Sequence, residues 1–148
     1  MYAHKFQAIF CFISIILPNM IFASCWETQL EYEITQNCEV RIISVTSESE
    51  SLKDEAHWLD YIQNRPSSAA EIQAGVPKTA RKIFRPDDIS SLYCEFDENG
   101  LISKAYSIPT MWNQFQRRWV YLEKQPIDLK NGLLPSTQYH NAYIDTCR

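Results

Sequence analysis

Hydrophobic and polar residues alternate on both sides of an Asn-Gly pair in the second half of the chain. Leu92, Cys94 and Phe96 occupy every second position before this pair, and an alternating rhythm resumes from Ile102 to Ile108. Asn-Gly tolerates positive φ, so two strands can fold back on each other at this point. The pattern predicts a β-hairpin over residues 90–108, with Cys94 on its inward face.

Three other segments have strand patterns. Residues 38–45 are rich in β-branched side chains, residues 117–124 alternate Val120 and Leu122 with Trp119 and Tyr121, and residues 139–147 alternate to the end of the chain. Two segments remain ambiguous. Residues 26–34 fit a strand or a helix, and residues 109–116 fit a short helix or a loop packed on the core.

Helical signals fall between the early strands and the central hairpin. Ser51 and Asp54 can cap a helix over residues 52–64, which Pro66 ends. Ser68 and Glu71 form a capping box for a second, short helix that stops at Gly75. Residues 77–84 are expected to form a third helical piece.

These elements predict an α+β fold. We expect an antiparallel sheet of four or five strands, with two or three helices packed on one face and disulfides stapling the structure. A β-barrel with a helical insertion is the alternative.

The first 24 residues have the layout of a signal peptide, with one lysine, an apolar run and small residues at the end. Pro18 and Asn19 interrupt the run before it reaches the length of a membrane span. We therefore expect residues 1–24 to be removed, residues 25–148 to form a single globular domain, and the protein to be periplasmic or secreted.

Four cysteines remain in this domain, namely Cys25, Cys38, Cys94 and Cys147. An even number in an exported chain predicts two disulfides. The preferred pairing joins Cys25 to Cys38 and Cys94 to Cys147, provided that a helix or turn brings the first two together. The alternative pairing joins Cys38 to Cys94 and Cys25 to Cys147. Residues 22–25 also resemble a lipobox, in which Cys25 would carry a lipid anchor.

The charge is uneven along the chain. The formal net charge is −4, and residues 25–60 hold nine acidic residues but only two basic ones. An acidic first third can steer a basic partner or simply form a solvated face, and it argues against nucleic-acid binding. No membrane contact is expected unless Cys25 is lipidated.

Signals for catalysis are weak. His57 lies between Asp54 and Asp60 at helical spacing, so it could act as a base, but its surroundings also fit an exposed histidine with local ion pairs. His57 and His140 could serve as acid and base of a ribonuclease, with Lys78 or Arg81 on the phosphate. Glu95 and Asp97 could form a glycosidase pair or be solvated charges near the turn. No metal site and no cofactor are predicted.

Two clusters could bind a partner. The first is an aromatic and arginine concentration of the kind enriched at interface hot spots, although a core strand with two snorkelling arginines explains it equally well. Its members are Arg117, Arg118, Trp119, Tyr121 and Trp112. The second would lie on one side of the third helix and could dock an anionic partner or membrane, or form a solvated face. Its members are Lys78, Arg81, Lys82 and Arg85.

The sequence therefore predicts a small exported, non-catalytic binding protein with a protein partner, of the inhibitor or toxin-immunity type. Two alternatives stay open. One is a secreted hydrolase that uses His57, and the other is an envelope lipoprotein anchored at Cys25. The sequence does not indicate an oligomeric state.

Overall fold

The structure, a computed structural model, describes residues 25–147 and confirms a mixed α+β fold. The predicted signal peptide, residues 1–24, lies outside the described residues. Two short α-helices, α1 (Glu55–Gln63) and α2 (Ala69–Gln73), lie between the second and third strands, and a 3-10 turn (Glu50–Lys53) precedes α1. The strands are β1 (Cys25–Ile34), β2 (Val40–Ser47), β3 (Arg81–Arg85), β4 (Ser90–Phe96), β5 (Ile102–Asn113), β6 (Arg118–Tyr121), β7 (Gln125–Ile127) and β8 (Gln138–Cys147).

The strands form two antiparallel sheets, one of five strands, which matches the predicted sheet of four or five, and a further one of three strands. One has the order β2-β1-β8, and the other has the order β3-β4-β5-β6, with β7 paired to β5. Both sheets in the described chain are open, so the barrel alternative is wrong.

β1 resolves the first ambiguous segment as a strand. Its residues alternate between buried positions, such as Leu30, Tyr32 and Ile34, and more exposed glutamates. A spacing of four residues, as between Leu30 and Ile34, fits a strand as well as a helix, because four is a multiple of the strand period. Pairing with β2 on one side and β8 on the other selects the strand.

The predicted hairpin is confirmed as β4 and β5. The Asp97 carboxylate stabilises its turn, since Oδ1 accepts hydrogen bonds from the backbone N–H groups of Asn99 and Leu101, both at 2.9 Å. Gly100 adopts φ +79°, a conformation that favours glycine.

The third predicted helix is wrong, because residues 81–85 form β3. Ile83 lies opposite Leu92, and Arg81 lies opposite Cys94, so β4 supplies the backbone hydrogen bonds that a helix would have made internally. The other two helices exist. α1 begins after Asp54, whose side chain accepts a hydrogen bond from Ala56 N, and α2 has the predicted capping box of Ser68 and Glu71.

The main core lies between the two sheets and α1. It includes Trp58 and Ile62 of α1, Leu30 of β1 and Leu92 of β4. A smaller core covers the opposite face of the five-stranded sheet, where Val76 packs with side chains of β4 and β5. Glu71 of α2 reaches this face through its hydrogen bond with Tyr93, whereas α1 packs in the main core. Each large side chain buried in this way stabilises the fold by roughly 1.5–3 kcal/mol.

The preferred disulfide pairing is wrong. Cys38 is bonded to Cys94, with Cα atoms 6.7 Å apart, which ties the turn after β1 to the central hairpin. β1 is extended, so it separates Cys25 at its start from Cys38 beyond its end by far more than a disulfide spans. Cys25 is also disulfide-bonded, and the β1–β8 register sets its backbone opposite Cys147.

Candidate functional site

The outer end of β5 and the short strand β6 form a hairpin that carries a pair of tryptophans. Trp112 lies directly opposite Trp119, and their rings meet edge to face with centroids 5.7 Å apart. Both rings remain about half exposed, at 46% and 52%. Such a pair stabilises the hairpin locally while it presents a rigid aromatic surface to solvent.

Further apolar side chains are exposed on the same hairpin. Met111 is 49% exposed, Leu122 is 42% exposed and Phe115 is fully exposed at the tip. We call these side chains together with the tryptophans the hairpin patch (Met111, Trp112, Phe115, Trp119 and Leu122). The prediction that residues 109–116 are a helix or a loop packed on the core is wrong, because β5 continues to Asn113 and its last residues project from the core.

The turn at the tip has a defined geometry. Asn113 Oδ1 accepts hydrogen bonds from the N–H groups of Phe115 and Gln116, both at 3.0 Å. Arg117 adopts φ +50°, and Arg118 Nε donates to Gln116 Oε1 at 2.9 Å. Both predicted arginines are therefore exposed beside the hairpin patch and give this end of the molecule two positive charges.

Tyr121 differs from the other four predicted partner-binding residues. Its ring is only partly exposed and packs against the smaller core, and its hydroxyl donates to Glu71 Oε1 at 3.1 Å. Leu122 N donates to Pro109 O at 2.9 Å, just beyond the tyrosine. Tyr121 thus anchors the base of the hairpin to α2.

Glu71 is the centre of a hydrogen-bonded cluster, whereas the sequence identifies it only as part of a capping box. Its side chain has no exposed surface, yet it binds Lys82 Nζ at 2.5 Å, the hydroxyls of Tyr93 and Tyr121, and the Ser68 amide. Burial raises the pKa of Glu71, but the hydrogen bonds from Lys82 and Tyr93 outweigh burial and hold this pKa below its usual value. Lys82, Tyr93 and Tyr121 come from three different strands, so the sequence offers a local signal only for the bond with Ser68.

His57 and His140 occupy unrelated surroundings. His57 is exposed on α1 and makes an edge-to-face ring contact with Trp58. His140 Nδ1 lies 2.7 Å from the carboxylate of Asp87, which also accepts a hydrogen bond from Tyr32 at 2.6 Å. Burial raises the pKa of Asp87, but the hydrogen bonds with Tyr32 and His140 outweigh burial and hold this pKa below its usual value. This trio links the two sheets.

The other predicted acid pair has structural contacts. Asp97 is engaged with the hairpin turn as described above. Glu95 lies beside Tyr106, where burial and this carboxylate raise the tyrosine pKa. Across the described residues, no group of three His, Cys, Asp or Glu side chains is arranged to hold a metal ion.

The acidic first third forms part of one sheet face. Glu27, Glu31 and Glu33 lie on the outward side of β1, and the strand register sets two exposed tyrosines of β8, Tyr139 and Tyr143, beside them. Arg41 on β2 pairs with Glu33 at 3.3 Å. The face is solvated and acidic overall.

The four residues of the predicted basic cluster do not lie on one side of a helix. Lys78 precedes β3, and the other three belong to this strand, whose side chains alternate between its two faces. Arg85 is buried and donates to Ser90 Oγ, and Lys82 is paired with Glu71. Lys78, Arg81 and Lys82 nevertheless line one cavity together with Arg65.

None of the helices in the described part of the chain is long and apolar enough to cross a membrane. The chain matches no protein-family model, no curated protein and no solved structure.

Proposed function

We propose that the protein is a small exported binding protein of the inhibitor or immunity type, which docks on a protein partner through the hairpin patch. The observation that carries the proposal is the half-exposed pair of Trp112 and Trp119 on a hairpin that projects from the core. Tryptophan and arginine are the residues most enriched at interface hot spots, where single truncations cost about 2 kcal/mol or more.

The exposed apolar surface supports this reading. Five large apolar side chains are exposed on one hairpin. Their burial against a partner would be favourable through the hydrophobic effect. The hairpin is also ordered in advance, by the tryptophan pair, the Asn113 bonds and the Tyr121 anchor. Such order lowers the entropy cost of binding.

The shape and charge of the hairpin indicate the partner surface. Phe115 and the tryptophans form a convex apolar tip, which fits a concave apolar site. Arg117 and Arg118 flank the tip, so acidic groups at the rim of that site would be complementary. An enzyme or toxin cleft with an acidic rim has both properties.

The disulfide between Cys38 and Cys94 supports export, because such bonds persist in oxidising compartments. A sulfur engaged in a disulfide cannot also carry a thioether-linked lipid. The disulfide at Cys25 therefore favours a lipid-free protein over the lipoprotein alternative.

The test is affinity capture from the exported fraction of the source cells, with three forms of the mature protein as bait. These are the wild type, the double variant Trp112→Ala/Trp119→Ala, and the control Tyr139→Ala/Tyr143→Ala, whose rings are exposed on the other sheet. We expect one protein to be retained by the wild type and the control but not by the tryptophan variant. With that protein purified, the tryptophan variant should bind at least ~30-fold more weakly.

Equal retention by the wild type and the tryptophan variant would refute the hairpin as the docking site. Vesicles of anionic phospholipid serve as a second probe. If the wild type binds these vesicles and the tryptophan variant does not, the hairpin contacts lipid and the protein-partner proposal is wrong. Circular dichroism of all three forms establishes that each is folded.

A further inference from the structure

A cavity of about 420 Å³ lies between the α1–α2 linker and the start of β3. The linker residues 63–67 form one wall, residues 78–82 form the other, and Phe96 completes the lining. This volume falls within the range of small-ligand sites, roughly 300–1,000 Å³. The cavity is separate from the hairpin patch.

The charge of the lining is one-sided. Four cationic side chains border the cavity (Arg65, Lys78, Arg81 and Lys82), and its described lining includes no Asp or Glu. The whole chain has a formal net charge of −4, so this concentration of positive charge opposes the overall balance. A cavity lined by one sign of charge attracts ligands of the opposite sign.

Three of these cations are not neutralised by a carboxylate. Lys82 is paired with Glu71, but Arg65, Lys78 and Arg81 form no ion pair within the described residues. The carbonyl end of α1 borders the same cavity and contributes about half a negative charge at most. Three positive charges exceed this contribution, so the cavity remains strongly positive.

The two arginines are held in place by aromatic rings. The Arg65 guanidinium lies 4.3 Å from the ring centre of Tyr61 and 4.6 Å from that of Phe84. Arg81 lies 4.7 Å from the ring centre of Phe96 and donates one hydrogen bond to Cys38 O at 3.0 Å. Stacking occupies the face of a guanidinium and leaves N–H groups at its edge, which match the oxygens of an oxyanion.

We propose that this cavity binds a small ligand through a phosphate or sulfate group, held by Arg65, Lys78 and Arg81. Tetrahedral oxyanions accept several charge-assisted hydrogen bonds at once, and three cations that border one cavity are a source of such bonds. A long polyanion is disfavoured, because the acidic outward face of β1 and the net charge of −4 repel it.

The test uses titration calorimetry of the folded mature protein with inorganic phosphate, inorganic sulfate, phenyl phosphate and phenyl sulfate. The first variant is Lys78→Gln, since this side chain is exposed and its removal leaves the fold intact. The second is Arg65→Gln/Lys78→Gln. The matched control is Lys130→Gln, which removes one charge from an exposed turn away from the cavity.

We expect saturable 1:1 binding of at least one of these probes. Affinity should fall about threefold in Lys78→Gln and at least tenfold in the double variant, and it should stay within about 1.5-fold of wild type in the control. The two phenyl esters decide whether the group bound is a phosphate or a sulfate. Equal losses in Lys78→Gln and Lys130→Gln, or no saturable binding of any probe, would overturn the proposal. The hairpin variant Trp112→Ala/Trp119→Ala should bind these anions as the wild type does, so this result is independent of the protein-partner proposal.

Discussion

The Lys82 ammonium lies 2.5 Å from the Glu71 carboxylate, which has no exposed side-chain surface, while Lys82 itself is 11% exposed. This ion pair joins α2 to β3. Through the hydroxyls of Tyr93 and Tyr121, the same carboxylate also joins β4 and β6. One glutamate therefore fixes the base of the hairpin that carries the candidate docking surface.

Replacing this glutamate by its neutral isostere should destabilise the fold. In Glu71→Gln the Lys82 charge stays largely buried without its partner, and we expect a loss of about 3 kcal/mol in the free energy of unfolding. Urea unfolding measures the change. Glu98→Gln, in the exposed turn between β4 and β5, is the control and should shift stability by less than about 0.5 kcal/mol. Similar losses in both variants would contradict the central role of Glu71.

The carboxylates of Glu71 and Asp87 determine how the stability of the fold decreases at low pH. Both have a pKa below the usual value in the folded protein, because hydrogen bonds to the charged form outweigh burial. A depressed folded pKa contributes stability above the unfolded value, about 4, and this contribution is lost as pH falls through the folded pKa. Stability measured from about pH 6 to about pH 3 should therefore decrease below about pH 4.5, with a shallower slope in Glu71→Gln. An unchanged slope in that variant would contradict the assignment.

Buried tyrosines determine how the stability of the fold decreases at high pH. Burial raises the pKa of Tyr32, Tyr93, Tyr106 and Tyr121, and a neighbouring carboxylate raises each of them further. A raised folded pKa contributes stability below the unfolded value, about 10, which is lost as pH rises above it.

We therefore expect unfolding at alkaline pH to coincide with the appearance of tyrosinate absorbance, as one cooperative step. Tyr93→Phe should lower the dependence of stability on pH above about 10 by roughly one proton. Tyr139→Phe is the control, because this ring is 72% exposed, and it should leave the alkaline slope unchanged. Gradual tyrosinate formation by the folded protein would argue against buried tyrosine hydroxyls.

The sequence alone predicts an element correctly where the contacts that stabilise this element join residues close together along the chain. Asn99 and Gly100 identify the central hairpin, and the capping box of Ser68 and Glu71 identifies α2, because these contacts span only a few residues. The tryptophans and arginines of the hairpin are recognisable in the sequence for the same reason, because they are concentrated within one short stretch. Their exposure depends on what the rest of the fold covers.

Contacts between distant segments explain what the sequence could not indicate. Lys78, Arg81, Lys82 and Arg85 have helical spacing, but pairing of β3 with β4 overrides this local preference. The cavity arises only when Arg65 and Phe96 meet the start of that strand. The disulfide pairing likewise follows from sheet register, which composition does not specify.

The disulfide between Cys38 and Cys94 should be a major source of stability. The two cysteines are 56 residues apart, and in the chain-entropy model a loop of this length constrains the unfolded state by about 4 kcal/mol. We expect Cys38→Ala/Cys94→Ala to lose about 2–4 kcal/mol in urea unfolding. Peptide mapping without reductant should recover Cys38 and Cys94 in one linked fragment. A fragment that links Cys94 to a different cysteine would contradict the fold at this point.

Ile89 combines backbone strain with a position near the candidate docking surface. It adopts φ +46° in the turn between β3 and β4, which is a rare conformation for a β-branched residue, and it is 51% exposed. Its carbonyl accepts a hydrogen bond from Thr110 Oγ1 at 2.7 Å, next to Met111 of the hairpin patch. We predict that the docking surface extends to Ile89, because strained residues of this kind concentrate at functional sites.

Replacing Ile89 by glycine separates the effect of this residue on stability, through backbone strain, from its effect on binding. Left-handed backbone costs an L-residue about 1–2 kcal/mol, and the larger backbone entropy of glycine in the unfolded state offsets part of the gain. We therefore expect Ile89→Gly to stabilise the protein by about 1 kcal/mol in urea unfolding and to weaken capture of the hairpin's partner. Ile43→Gly is the matched control, since Ile43 is also 51% exposed but lies in β2 at negative φ, where glycine should cost about 0.5–1 kcal/mol. If both glycine variants are destabilised to the same extent, Ile89 is not strained. If Ile89→Gly is more stable and captures the partner as well as the wild type does, the docking surface ends at the hairpin.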